Sequence, residues 1–375
     1  MSIDLLRRRL MAKDPTDIII DARYGGVSGD PANDAALMEV IYAQRWSKSS
    51  LYMTKREAEA VTDIGTYFSY HIDIVDLEAF GYFSSVKEVK YEAFMGLTYL
   101  KRISIPKSVI SGSGLENMPS EYMYSLSVNS ENPIYSSLDN ILYKNSTNIA
   151  LVPKSVEGEI VVREGVTALS STSFQNCKKV ERVFLPDSIT TISLRAFMNC
   201  KSLQEINLPK KLTALNSVVF ENCPSLTLPE FNLPEVKTAS SGVYFGGRNN
   251  PPKRINNTRL YLPKVTGEIA TYIYGIGSGR IGYVYIGEGC TKISAINPYV
   301  STTIYVCMAS TPPTLSSLIV QRDVCGKELY VPRDAIQQYR DNEYWAGSFT
   351  NIYAVEDINP DLLAYMKFET DILPQ

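Results

Sequence analysis

Cys177, Cys200 and Cys223 recur every 23 residues, and Phe174, Phe197 and Phe220 keep the same interval. Asn176, Asn199 and Asn222 do so as well, Leu185-Pro186 returns as Leu208-Pro209, and Val183 returns as Ile206. Self-similarity at a period of roughly 20–29 residues restricts a chain to stacked coils, each a copy of the last. Val183-Phe184-Leu185 and Ile206-Asn207-Leu208 alternate as short strands do. The proline after each strand has no donor for a ladder, so it ends the strand and turns the coil. Residues 190–197 and 213–220 supply a second, looser side that carries the phenylalanine. One coil cannot cover its own apolar face, so neighbouring coils must share a continuous core.

The fold class that follows is a repeat solenoid of leucine-rich coils of about 23 residues with short parallel strands. The six cysteines read accordingly. Those at one repeat position form an internal ladder and behave as small hydrophobes. No CxxC pair of the kind zinc favours exists, and Cys307 and Cys325 are far apart in sequence.

Earlier copies of the unit lie upstream. Glu92-Ala93-Phe94-Met95-Gly96-Leu97 and Leu100-Lys101-Arg102-Ile103-Ser104-Ile105-Pro106 match it, with Leu97 in the cysteine place. Then come Asn132-Pro133-Ile134-Tyr135-Ser136-Ser137, Ile141-Leu142-Tyr143, Leu151-Val152-Pro153 and Glu164-Gly165-Val166-Thr167. In this order the motifs resemble the BspA-like leucine-rich repeat family of gut Bacteroidota surface proteins, over about residues 75–355. The resemblance implies a solenoid over 75–310 that works by binding and not by catalysis. Residues 224–306 keep Leu260-Tyr261-Leu262-Pro263 and Val284-Tyr285-Ile286-Gly287 but lose the Phe and Asn-Cys markers. Thr311-Pro312-Pro313, Leu329-Tyr330-Val331-Pro332, Tyr339 and Trp345 resemble the family's closing segment, a cap over 311–355 with a short helix at 335–339. Residues 356–375 read as a tail without a clear fold.

At the other end, Asp30-Pro31 reads as a helix cap followed by a first-turn proline, with Ala35, Met38, Ile41 and Tyr42 as the apolar face. Thr54 and Glu57 form a capping box for a helix over 55–62, with Gly65 as its stop. The helical module over 46–74 resembles one that in relatives holds a calcium loop. Here Trp46-Ser47-Lys48-Ser49-Ser50-Leu51 lacks the aspartates that a hard cation needs, so no calcium is expected. Residues 1–45 form an arm. Residues 1–33 have no core of their own, so order there requires a partner or packing on the first coil. Ile3, Leu6 and Leu10 share one side of an amphipathic segment that could dock in a larger assembly.

Catalytic chemistry is sparse. The single histidine, His71, would have to serve any Ser-His-Asp or Cys-His route. Gly277-Ser278-Gly279-Arg280-Ile281-Gly282 matches G-x-G-x-x-G, but Tyr283-Val284-Tyr285-Ile286 follows as a strand, where a dinucleotide site needs a helix. No cofactor or metal is therefore expected.

A net charge of −3 gives no general footprint for nucleic acid or an anionic membrane. No apolar run approaches the roughly 20 residues of a membrane span. The basic start lacks an apolar core of about 7–15 residues, so no standard secretory signal is expected. Tyrosine is abundant, at 25 residues against 12 Phe. It suits half-exposed contact surfaces and equally favours strands. Tyr261, Tyr272, Tyr274, Tyr283 and Tyr285 cluster as candidate ligand-binding aromatics.

The expectation is a non-enzymatic binding protein. Its setting is a bacteriophage virion, as a structural or receptor-binding part built through the arm, with a homo-oligomer as one form. The alternative is a bacterial cell-surface adhesin for a host protein or glycan. A glycan-active enzyme is the competing class. If the cysteines are structural thiols, all six titrate with a thiol reagent when the chain is unfolded without reductant, and a count below six contradicts the free ladder.

Overall fold

The computed structural model describes residues 17–22, 28–215, 219–226, 231–239, 258–269, 281–293, 304–315 and 328–369. Ile3, Leu6, Leu10, Tyr272, Tyr274, Gly277 and Cys325 lie outside the described residues. The chain is a leucine-rich solenoid, divided into two compact units, Met1–Val156 and Glu157–Gln375.

The first unit opens with Ile18–Asp21 paired antiparallel to Tyr52–Thr54. Ile19 and Ile20 are buried there, so the arm contributes to a core after all. Helix α1 (Pro31–Ala43) starts where expected: the Asp30 carboxylate accepts from Ala32 N at 2.9 Å and Asn33 N at 3.3 Å. Its buried face differs from the expected one. Ala35 and Tyr42 point to solvent, and Asn33, Asp34, Leu37, Met38, Val40 and Ile41 are inside. Asn33 explains the rotation. Its Oδ1 accepts from Val75 N at 2.8 Å and Asp76 N at 2.9 Å, and its Nδ2 donates to Asp76 O at 3.3 Å. A sheet edge needs partners for its backbone groups when it is buried. Asn33 supplies them to the first strand of the parallel set Asp76–Leu77, Arg102–Ile105 and Ser125–Val128.

Helix α2 (Lys55–Glu59) has the capping box but stops short of residue 62. Glu57 accepts from Thr54 N at 2.9 Å and from Lys48 N at 3.2 Å, and the Ser47 hydroxyl donates to Tyr52 O at 2.9 Å. The protein's own groups thus tie down the loop between Ser47 and Thr54. The Asn132-Pro133 insert folds as an antiparallel meander of Tyr135–Leu138, Ile141–Lys144 and Asn148–Leu151. Asp139 and Asn140 take the positive φ that a two-residue hairpin loop requires.

In the second unit each coil has two sides. On one, Ala168–Leu169, Thr191–Ile192 and Ala214–Leu215 stack parallel, followed by Thr238–Ala239, Gly267–Ile269, Cys290–Ile293 and Thr314–Leu315. On the other run Glu157–Val161, Lys179–Phe184 and Glu205–Ile206, then a six-stranded parallel sheet from Phe231–Asn232 to Asn351–Ala354. The strands keep stacking through the degenerate region because their inward positions, such as Leu260, Val284 and Tyr305, remain apolar.

Inside, Phe174, Phe197 and Phe220 stack at 4.9 and 5.3 Å between centroids, with planes 11° and 17° apart. The Cys200 thiol donates to Phe174 O at 3.1 Å and the Cys223 thiol to Phe197 O at 3.0 Å. Asn176, Asn199 and Asn222 sit at positive φ, and Asn199 Nδ2 donates to Asn176 Oδ1 at 2.8 Å. Asparagine tolerates the left-handed turn, and here its amide bonds the next coil.

The closing segment forms helices α3 (Ile336–Asp341) and α4 (Glu343–Ser348). Tyr339 and Trp345 are fully buried, with Tyr339 OH donating to Ala309 O at 2.9 Å and Trp345 Nε1 to Pro313 O at 2.8 Å. The tail also folds: helix α5 (Pro360–Met366) is capped by Asn359, and Tyr365 and Met366 are buried. At seven residues the helix is too short to mark itself by a helical period, and the sheet beneath supplies the contact that orders it.

Replacing Phe197 by Ala empties the middle of the ladder. The expected cost is about 3–5 kcal/mol in denaturant unfolding, with Phe174 and Phe220 losing a stacking partner each. A loss under about 1 kcal/mol would mean that the ladder is not the core.

Candidate binding surfaces

Two aromatic surfaces stand out, one in each unit. In the second, the strands Thr258–Leu262, Ile281–Ile286, Ile304–Cys307, Glu328–Val331 and Asn351–Ala354 place residues in register across the sheet. The row Leu260, Val284, Tyr305, Leu329 and Ile352 faces the core. The alternate row Tyr261, Tyr285, Val306, Tyr330 and Tyr353 faces outward, as strand alternation requires.

That outward face is not open along its length. The segment after Ala354 folds back across it. Val355, Ile358 and Met366 pack with Tyr285 and Val306, and Leu362 and Leu363 lie against the same cluster. Tyr285 is left only 8% exposed, whereas Tyr353, further along the row, is 41% exposed. Tyr283 meets the Tyr365 ring edge-on at 5.4 Å, and Tyr261 lies 6.3 Å from Phe368. The buried Arg259 guanidinium sits over both the Tyr365 ring, at 4.2 Å, and the Phe368 ring, at 3.9 Å. Its Nη1 also donates to Tyr365 O at 2.9 Å. Helix α5 ends with Phe368 N bonded to Tyr365 O at 3.0 Å and Glu369 N to Ala364 O at 2.9 Å. These paired bonds put Phe368 at the left-handed position, φ 61°, where glycine is usual. A bulky side chain there costs about 1–2 kcal/mol.

Of the sequence-predicted aromatics, the structure brings Tyr261, Tyr283 and Tyr285 together beneath α5. Sequence inspection found these residues but not their cover.

The first unit carries the surface that sequence inspection missed. Tyr70 N donates to Met95 O at 2.7 Å, Lys101 N to Val75 O at 2.7 Å and Tyr124 N to Lys101 O at 2.9 Å. These bonds lay three successive coils side by side just before their strands. Tyr70, Ile72, Tyr99, Tyr122 and Tyr124 all project from this edge, with Tyr70 69% and Tyr124 59% exposed. Tyr99 and Tyr122 touch, at 5.5 Å between centroids. Gly96, at φ 77°, lets Tyr70 approach: a Cβ there would lie 2.7 Å from Tyr70 Cδ1 and 3.0 Å from its Cα. The charges on these segments are few, namely Asp73, Lys101 and Glu121. At the equivalent places of the second unit, before Val180 and Leu203, stand the exposed Lys178, Lys179 and Lys201. The aromatic edge is therefore not a general property of the repeat. The available signal was Tyr99 and Tyr122 beside the inward Leu100 and Met123.

His71 lies on the same edge, and Ile74 N donates to its carbonyl at 3.0 Å. Among the described residues no group of three or more His, Cys, Asp or Glu side chains is placed to hold a metal ion. The glycine-rich stretch leads into the strand Ile281–Ile286. No helix among the described residues is long and apolar enough to cross a membrane.

A family model described as BspA type leucine rich repeat region matches residues 61–149 and 155–249, in six copies. A leucine-rich repeat protein from Eubacterium ventriosum is similar over 64% of this chain and 62% of its own, at 22% identity and a TM-score of 0.43. A leucine rich cell surface protein from Faecalibacterium prausnitzii is similar over 80% of this chain and 62% of its own, at 19% identity and a TM-score of 0.33. The pneumococcal vaccine antigen PcpA is similar over 75% of this chain and 65% of its own, at 19% identity and a TM-score of 0.36. The chain spans less than two thirds of each of these solved structures. No curated protein matches it.

Burial first, then Tyr261, Glu288 and Glu369 nearby, pushes the Tyr285 phenol up to about 12. The folded value lies above the unfolded one, so the stability from keeping this phenol neutral is complete below pH ~10. It is lost as pH rises through about 12. Unfolding measured from pH 8 to 12 should show Tyr285→Phe escaping on the order of 2 kcal/mol of the alkaline loss. Identical slopes for both proteins would place Tyr285 in water.

Proposed function

The repeats of this chain belong to the BspA-type leucine-rich repeat family, and from that premise we propose that it is a non-catalytic binding protein whose contact surface is the tyrosine edge of the first unit. The observation that carries the reading is the set Tyr70, Ile72, Tyr99, Tyr122 and Tyr124, all exposed on adjoining coils. Single exposed apolar residues are ordinary, but several large ones on adjoining coils, with Tyr99 and Tyr122 in contact, mark an interaction site. Protein interface cores are depleted in charge and enriched in tyrosine, which describes this edge and not its lysine-bearing counterpart in the second unit. Its side chains are 48–69% exposed and not enclosed, so they suit a macromolecular surface better than a small ligand. Its partner on this reading is a protein, and the setting is a cell surface, where the chain acts as an adhesin. Receptor binding from a phage particle makes the same demand on the edge, and the arm around Ile3, Leu6 and Leu10 would then serve assembly.

The test is binding of the full chain to an array of mucosal glycoproteins, the same proteins deglycosylated, and purified bacterial capsule polysaccharides. A Tyr99→Ser/Tyr122→Ser variant with an unchanged melting temperature should lose at least tenfold in affinity, since each buried aromatic anchor contributes about 1–2 kcal/mol. Retained binding to the deglycosylated proteins supports a protein partner. Binding that needs the sugars makes the partner a glycan, binding unaffected by the two substitutions removes the site, and release of sugar or peptide fragments overturns the non-catalytic reading.

A further inference from the structure

The outward face of Thr258–Leu262 and Ile281–Ile286 is built like a receptor for a helix, and the chain's own tail sits in it. Three observations lead there. The face is aromatic and apolar although it lies on the outer side of the sheet, where Tyr261, Tyr283 and Tyr285 would otherwise meet water. Arg259 on this face is aimed at the tail and not at the core: the guanidinium lies between the rings of Tyr365 and Phe368 and bonds Tyr365 O. The tail meets this face with a short amphipathic element, Leu362, Tyr365 and Met366 on one side of α5 and Phe368 just past its end. Residues spaced i, i+3 and i+4 are how an amphipathic helix reads a groove.

The last turn of the tail is strained. Phe368 occupies the left-handed turn at φ 61°, a conformation that its side chain disfavours. The bonds from Phe368 N to Tyr365 O and from Glu369 N to Ala364 O hold it there, with Arg259 stacked on its ring and Tyr261 beside it. That strain is released when α5 unwinds from the face, which weakens the tail against a competitor free of it. A helix of seven residues has little stability without its groove.

We propose that this face is a second binding site, that its partner is a protein presenting an amphipathic helix with two aromatic side chains three residues apart, and that residues 355–369 occupy the site in cis until such a helix displaces them. The site is independent of the tyrosine edge of the first unit. Arg259 recognises the aromatic pair by stacking between the rings, and Tyr285 takes a cation at the helix end, as it now takes Lys367 at 5.7 Å.

The probe is a fluorescent synthetic peptide with the sequence of residues 356–369, added to the full-length chain. Tyr365→Ala/Phe368→Ala removes both rings that hold the tail in place. The peptide should bind this variant at least tenfold more tightly than the unaltered chain, and adding Arg259→Ala should abolish the gain. Equal binding to the variant and the unaltered chain, or a gain that survives Arg259→Ala, overturns the proposal. Hydrogen exchange on the unaltered chain serves whether or not the variants fold. Amides of Lys367, Phe368 and Glu369 should exchange at least tenfold faster than those of Leu260 and Val284. Exchange at one common rate makes the tail an integral part of the fold and removes the site.

Discussion

Phe197 is buried because Phe174 and Phe220 lie against its two faces, and neither of those rings is covered by its own coil. Each coil is too thin to hide its apolar row, so burial is always lent by a neighbour. The other repeated features follow from that dependence. The cysteine ladder turns its thiols onto the carbonyl oxygens of the preceding coil, and the asparagine ladder bonds amide to amide across the same step. Both keep buried polar groups paired while the apolar rows stack.

Borrowed burial leaves the ends with a debt, and the chain settles it differently in each unit. In the first unit the edge strand Asp76–Leu77 has no coil before it. Asn33 presents one side-chain amide to the backbone of Val75 and Asp76, so a helix stands in for a strand. In the second unit the last apolar row is closed by Tyr339 and Trp345, whose polar tips reach Ala309 O and Pro313 O. Large aromatic side chains with a donor can plug a core and still satisfy the carbonyls around it.

With stability drawn from the inward rows, the outward rows are free to vary. Lys179 and Arg182 pair with Glu157 and Glu159 across neighbouring coils at exposed positions, where ion pairs contribute little. The tyrosine edge of the first unit and the covered tyrosine row of the second use the same freedom for aromatic surface. One is left open, and the other is met by the tail.

The 23-residue period, the inward Phe and Cys, the Asp30 cap and the Thr54–Glu57 box were legible in the sequence, because each rests on spacing or on a local bond between near neighbours, whereas the aromatic cap around Tyr339 and Trp345 was legible only through family resemblance. The exposed edge of the first unit was not. Tyr70, Tyr99 and Tyr122 are 29 and 23 residues apart, and only stacking makes them one patch. Nor could the sequence show which way α1 turns, since a bond from Asn33 to residues 75 and 76 outweighs a weak apolar pattern. The sequence by itself determined that this chain must stack its coils and which side chains of the regular repeats point inward. Tertiary structure alone decided which outward tyrosines meet solvent and which lie beneath α5, because that depends on contacts between segments up to about a hundred residues apart, such as Arg259 and Tyr365.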